Sequence, residues 1–104
     1  MGAERVIHFS WDDWKSAENL REHGVDFSDA RAVFYDPYRI TLEDLVDDGE
    51  QRWRTIGTAL GLTVLLVVHL EEDFQGDLFV RMISARKATP LERREYEQDR
   101  ANDV

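Results

Sequence analysis

Apolar positions along this chain change period twice, and the changes mark out its elements. A short apolar stretch, VIHFSW (6–11), reads as an opening strand or an extended arm. Trp11, Trp14, Ala17 and Leu20 then recur every three residues, which predicts an amphipathic helix over roughly 12–23 with that stripe inward. Ser10, three residues before Asp13, gives a capping signal, and Gly24 gives a left-handed stop. The opposite face carries Lys15, Asn19 and His23 at i, i+4 and i+8, so these side chains form a row with His23 in the last turn. A second helix is expected to start at Ser28, to turn Ala30, Val33 and Phe34 inward, and to stop before Asp36-Pro37, because the residue before a proline avoids the α region.

Beyond Pro37 the period shortens. YRITLED reads as a short strand, LVDDGEQ contains an Asp-Gly turn, and RWRTIGTA alternates as the partner strand. LGLTVLLVVHLE is apolar on both faces, as a central strand covered on both sides would be. EDFQGD is turn-like and DLFVRMIS returns as another strand. Thr89-Pro90-Leu91-Glu92 combines a Thr N-cap, proline at the first helical position and Glu at the third, which starts a last helix through LERREYEQDR. The expected fold class is α+β: an antiparallel sheet of three to five strands with two N-terminal helices and one C-terminal helix, in one domain over residues 1–104.

Composition narrows the chemistry. No cysteine is present, so disulfides and thiolate zinc sites are excluded. The amino terminus shows no basic stretch leading into an apolar run, and LGLTVLLVVHL is too short for a bilayer crossing of about 20 residues. The expectation is a cytoplasmic protein without a membrane partner. The formal net charge is −9, unevenly placed: residues 41–50 carry five acids and no base, whereas RMISARKATPLERR (81–94) carries five bases and one Glu. A negative chain repels polyphosphate at long range, yet a concentrated basic patch still holds a few phosphates at contact.

Within that patch Arg81 shares a strand face with Phe79 and Ile83, so a guanidinium among apolar neighbours needs an anion, either a carboxylate such as Glu50 or a phosphate. Arg86 and Lys87 sit just before the positive end of the last helix, a combination suited to phosphate; for Lys87 a solvated loop position is the preferred reading. Arg93 and Arg94 have Glu95 and Glu97 nearby and read as a solvated face ahead of a phosphate contact. His23 either caps its helix or trades protons with a ribose hydroxyl. His69 shares a face with Leu65 and Val67 and reads as a core or rim residue, and His8 offers less still. Asp44, Asp47, Asp48 and Glu50 lack the spacing of a calcium loop, no histidine pair suits zinc, and no phosphate-binding glycine loop or nucleophile elbow occurs. No metal or cofactor is expected.

Several stretches resemble one family when taken together. FSWDDWKSAENLREHGVDF, ARAVFYDP, EQR and RMISARKATPLERREY resemble, in order, the motifs of the BrnT family of type II toxin-antitoxin ribonucleases from Phe9 to Tyr96. The resemblance implies a RelE-like fold and a metal-independent endoribonuclease that inhibits translation by 2′-OH attack on RNA. It also implies a cognate BrnA-like antitoxin as partner, with operator DNA bound only through that antitoxin. By position it implies catalytic roles for His23, Glu50, Arg52, Arg81 and Arg86. The arginines would stabilise phosphate, His23 or Glu50 would transfer protons, and Lys15 would be a supporting cation that binds RNA; the basic patch itself, rather than the resemblance, adds Lys87 and Arg93 as RNA-binding candidates. A non-catalytic module that binds an antitoxin-like partner through the same patch is the alternative.

Overall fold

A computed structural model of the chain describes residues 5–59, 61 and 63–102. Its elements are β1 (Ile7–Ser10), α1 (Asp13–His23), α2 (Phe27–Ala30) running into a 3-10 turn (Arg31–Tyr35), β2 (Ile40–Asp47), β3 (Glu50–Ala59), β4 (Thr63–Phe74), β5 (Asp77–Lys87) and α3 (Pro90–Asn102). The five strands form one sheet in the order β1-β5-β4-β3-β2. Four of them are the expected antiparallel set. The opening strand corrects the expectation, because β1 pairs parallel with β5, from Ile7 opposite Leu78 to Ser10 opposite Arg81. The sheet is therefore mixed, a pairing between distant segments that no local pattern specifies.

Local chemistry explains the meander. Two of the three hairpins turn on Asp48-Gly49 (φ 50° and 81°) and Gln75-Gly76 (φ 52° and 85°). Two successive positive-φ residues are what a tight hairpin between right-twisted strands requires. β4 is central, and Leu65, Leu66 and Val67 are buried on alternate faces of it, as its unbroken apolar run predicts. The larger core lies on one face, where Val25, Phe27, Ala30, Val33 and Phe34 pack on Leu65, Val67, Val80 and Met82. The second helix keeps its expected inward residues, but its cap is Asp26, whose carboxylate accepts from Asp29 N at 2.7 Å.

His69 lies in this core, fully buried. Its Nδ1 is 3.3 Å from Leu70 O, which can only accept, so Nδ1 carries the proton. Nε2 then accepts from the Thr55 hydroxyl at 2.7 Å, and Thr55 accepts from Thr41 at 2.8 Å. Burial, partly opposed by the Leu70 carbonyl, lowers the His69 pKa from 6.5 to about 4. The unfolded chain takes up this proton below about pH 6.5 and the folded chain only near pH 4, so this group removes stability as pH falls through that window. We expect a loss of about 2–3 kcal/mol between pH 7 and 4.5 in urea unfolding. His69→Gln should flatten that slope, and an equal slope in both proteins would refute the assignment.

The opposite face holds a smaller cluster of Ile56, Leu66 and Tyr96, flanked by Ile40, Val64 and Val68. Tyr96 anchors α3 there. Its hydroxyl donates to Asp36 Oδ2 at 2.6 Å and accepts from Thr58 Oγ1 at 2.8 Å. Burial alone would raise the Asp36 carboxyl, but hydrogen bonds from Tyr96, Thr58 N and Tyr38 N outweigh it and hold the group below its ordinary value. Tyr96→Phe leaves that carboxylate short of a donor and is expected to cost about 1–3 kcal/mol in urea unfolding. A midpoint unchanged from that of the unsubstituted chain would show that the ring alone holds α3.

The expected inward stripe of α1 is not the one that faces the protein. Trp14 and Leu20 are 64% and 48% exposed, and the buried residue of the helix is Asn19. The cause is position. β1 ends opposite Arg81, so further along β5 the backbone edge is left without a strand, and α1 covers it. Asn19 Nδ2 donates to Ala85 O at 2.6 Å and to Val25 O at 2.8 Å, while its Oδ1 accepts from Ala85 N at 3.2 Å. Ser16 Oγ accepts from Phe27 N at 2.9 Å. Unpaired backbone groups call for polar partners, so the helix turns its amide and hydroxyl inward. The Ser10 capping signal is not realised: Ser10 ends β1, and Asp12 holds the N-cap position, without a side-chain cap bond.

Candidate functional site

α3 covers only one end of its sheet face, and the rest of that face is rich in arginine. Alternation on β3 places Arg52 and Arg54 there beside Ile56, with Arg54 between Leu42 of β2 and Val68 of β4. On β5, Arg81 lies opposite Leu70 and Arg86 opposite Leu66. Arg81 and Arg86 are five residues apart and would point to opposite faces of a regular strand. A bulge brings them together: Val68 pairs with Ser84 and His69 with Met82, so Ile83 has no partner and the alternation shifts by one. Leu78, Val80, Met82 and then Ala85 keep to the core, and both arginines keep to the open face.

Arg81 is not sunk among apolar groups as its strand pattern suggests. Its side chain is 44% exposed, and it meets Asp12 Oδ1 at 2.8 Å rather than Glu50. Lys15 lies 3.9 Å from the other oxygen of Asp12, so the two cations share one carboxylate. A cavity of about 560 Å³ includes Arg81, Glu50, Ser10, His8, Leu70, Glu72 and Phe79 among its lining. The structure thus brings Glu50 and Arg81 to one cavity, with Lys15 linked to Arg81 through Asp12.

The other candidates divide. Arg52 pairs with Asp47 Oδ2 at 2.6 Å across the β2–β3 hairpin. Arg86 forms a bidentate pair with Glu92, Nη1 to Oε1 at 2.7 Å and Nη2 to Oε2 at 2.9 Å. Those bonds, with Thr89 N donating to the same carboxylate, outweigh burial and pull Glu92 down to about 2. Glu92 therefore caps the helix, as expected, and also neutralises Arg86. His23 ends α1 exposed, its ionic neighbour being Glu22 at 3.9 Å. Lys87 lines a separate hollow with Gly24, Val25 and Leu65. Arg93 lies with Pro90, Arg94 and Glu97 on the outer side of α3. No group of three or more His, Asp or Glu side chains among the described residues is arranged to hold a metal ion. No helix among them is long and apolar enough to cross a membrane.

Arg54 was not among the residues picked out by the sequence motifs. It is half-buried in the middle of the arginine face, has no ion-pair partner among the described residues, and its Nε is buried without an acceptor. The signal that could have found it was the alternation of RWRT, which puts Arg52 and Arg54 on one face.

This arrangement can be set beside known proteins. Residues 11–92 match the model of a family described as "Ribonuclease toxin, BrnT, of type II toxin-antitoxin system". The solved structure of the Brucella abortus ribonuclease toxin BrnT superposes with a TM-score of 0.55 at 24% identity, covering 81% of this chain and 97% of that one. At that identity the likeness carries the fold. A search of the curated proteins found no match. The family match runs from the residue before Asp12 to Glu92, and so spans both carboxylates that hold open-face arginines at its two ends. The chain belongs to the BrnT family of ribonuclease toxins of type II toxin-antitoxin systems.

Proposed function

We propose that this protein is a metal-independent endoribonuclease that inhibits translation by cleaving RNA on the arginine-bearing sheet face and is held inactive by a BrnA-like antitoxin. The observation that carries this reading is the convergence of Glu50 and Arg81 in one cavity, with Lys15 tied to Arg81 through Asp12. In the reaction, a ribose O2′ forms a bond to the adjacent phosphorus as the P–O5′ bond breaks. Glu50 takes the 2′ proton, and the guanidinium groups of Arg81, Arg52 and Arg54 meet the charge that builds on the phosphoryl oxygens. A proton is delivered to O5′, which leaves a 2′,3′-cyclic phosphate and a 5′-OH. Lys15 suits that delivery better than His23, because it stands beside the partner of Arg81.

Incubation of the purified protein with RNA in EDTA, with mass analysis of the new ends, tests this. Cyclic phosphate termini that vanish in Glu50→Gln are expected; cleavage that stops in EDTA and returns with a divalent ion would replace the mechanism with a metal-dependent one. One observation favours a second reading, that of a non-catalytic module for an acidic partner segment. Arg52, Arg81 and Arg86 are each occupied by a carboxylate of this chain, which a partner's acids would exchange. A folded protein that binds its antitoxin but neither arrests growth nor degrades RNA on expression would establish that reading instead.

A further inference from the structure

The cavity shared by Glu50 and Arg81 is walled by aromatic rings that the phosphate chemistry does not use. His8 and Phe79, opposite each other in the β1–β5 pairing, stack with centroids 4.4 Å apart and planes 10° apart. Phe74 meets Phe79 edge-on at 6.3 Å. Phe79 is 40% exposed, while Leu78 and Val80 on either side of it are buried. Alternation would put a polar residue there, and three adjoining rings facing water form a patch rather than a scattered apolar side chain. The cavity's volume of about 560 Å³ is that of a small-ligand site.

Charge decides which part of an RNA chain enters. Glu50, Glu71 and Glu72 line the cavity against one guanidinium, Arg81. A phosphate is repelled by those three carboxylates and held at Arg81, to which Lys15 is linked through Asp12. A base is uncharged, presents π-faces to the rings, and carries N–H donors that a carboxylate accepts. We propose that this cavity is a nucleobase subsite, in which a base next to the scissile phosphate stacks on the Phe79–His8 pair and donates N–H to Glu72 while its phosphate stays at Arg81. The inference rests on the ribonuclease reading and sharpens it to single-stranded RNA, since a base must leave its helix to reach the rings.

The test pairs Phe79→Leu with two probes: a single-stranded oligoribonucleotide with one abasic position placed in turn beside the cut, and a 2′-O-methyl version carrying 2-aminopurine at the same positions. Phe79→Leu is expected to raise KM for intact RNA by about tenfold while kcat changes by less than about threefold. At one abasic position the unsubstituted protein should lose the same factor and Phe79→Leu should lose nothing more. Binding should quench 2-aminopurine at that position, and the quench should vanish in Phe79→Leu. Unchanged KM and quenching in a folded Phe79→Leu protein, or a loss that persists on the abasic substrate, overturns the subsite. If the unsubstituted protein cleaves no RNA, the ribonuclease reading falls, and the quenching of the uncleavable probe still decides whether the rings take a base.

Discussion

Arg81→Ala is expected to lower RNA cleavage by a factor of about a hundred or more while leaving the folded protein nearly as stable as before. The first part follows from its place: Arg81 is the guanidinium that lines the cavity with Glu50, and a preorganised donor at the developing phosphorane is worth several kcal/mol. The second follows from its surroundings. The side chain is 44% exposed, its one ion pair is with a similarly exposed Asp12, and such pairs contribute less than about 1 kcal/mol. Loss of activity and loss of fold are thus separable at this position. Arg81→Lys should recover part of the rate, because it keeps the charge but not the two-pronged geometry. Asp12→Asn releases both Arg81 and Lys15, and should tighten RNA binding most at low salt. Cleavage by Arg81→Ala within about threefold of the unsubstituted chain would remove Arg81 from the reaction.

Asn19→Ala should have the largest effect on stability, about 3–5 kcal/mol in urea unfolding. One buried amide serves two carbonyls and one N–H, at 2.8, 2.6 and 3.2 Å. Removing it leaves all three in the interior, each at about 1–3 kcal/mol, with relaxation reducing the sum. Asn19→Asp tests the same bonds differently: a carboxylate still accepts from Ala85 N but sets a negative charge against two carbonyl oxygens, so it should be no better than alanine. A loss below about 1 kcal/mol in Asn19→Ala would mean that water replaces the amide at the sheet edge. The site depends on this bond as well, since α1 carries Lys15 to the Asp12–Arg81 pair.

Much of the fold was legible because its signals are short-range. Asp48-Gly49 made a tight turn, Thr89, Pro90 and Glu92 started α3, and the apolar run from Leu65 marked the central strand. The same motifs that located Glu50, Arg52, Arg81 and Arg86 also carried the family. They were silent about company. Nothing in RMISAR shows that Arg81 would meet Asp12, 69 residues away, or that Arg86 would be held by Glu92 through both nitrogens. Arg54 escaped notice because a central guanidinium with a buried Nε and no ion-pair partner among the described residues is a property of its surroundings, not of its neighbours in the chain.

Two misreadings share a cause. The stripe of Trp14, Ala17 and Leu20 follows helical period faithfully, and β5 reads as a regular alternating strand, yet α1 turns Asn19 inward and β5 slips by one residue at Ile83. Both outcomes answer to the unpaired or displaced backbone of β5, whose state depends on where β1 ends and how β4 pairs. By itself the sequence determined most of the strands and helices, two of the turns between strands, and the supply of cations and carboxylates. Only the tertiary structure decided which of these share a face. Local period sets the direction of a side chain along its own element, whereas hydrogen-bond saturation and charge pairing are settled between elements that meet only on folding.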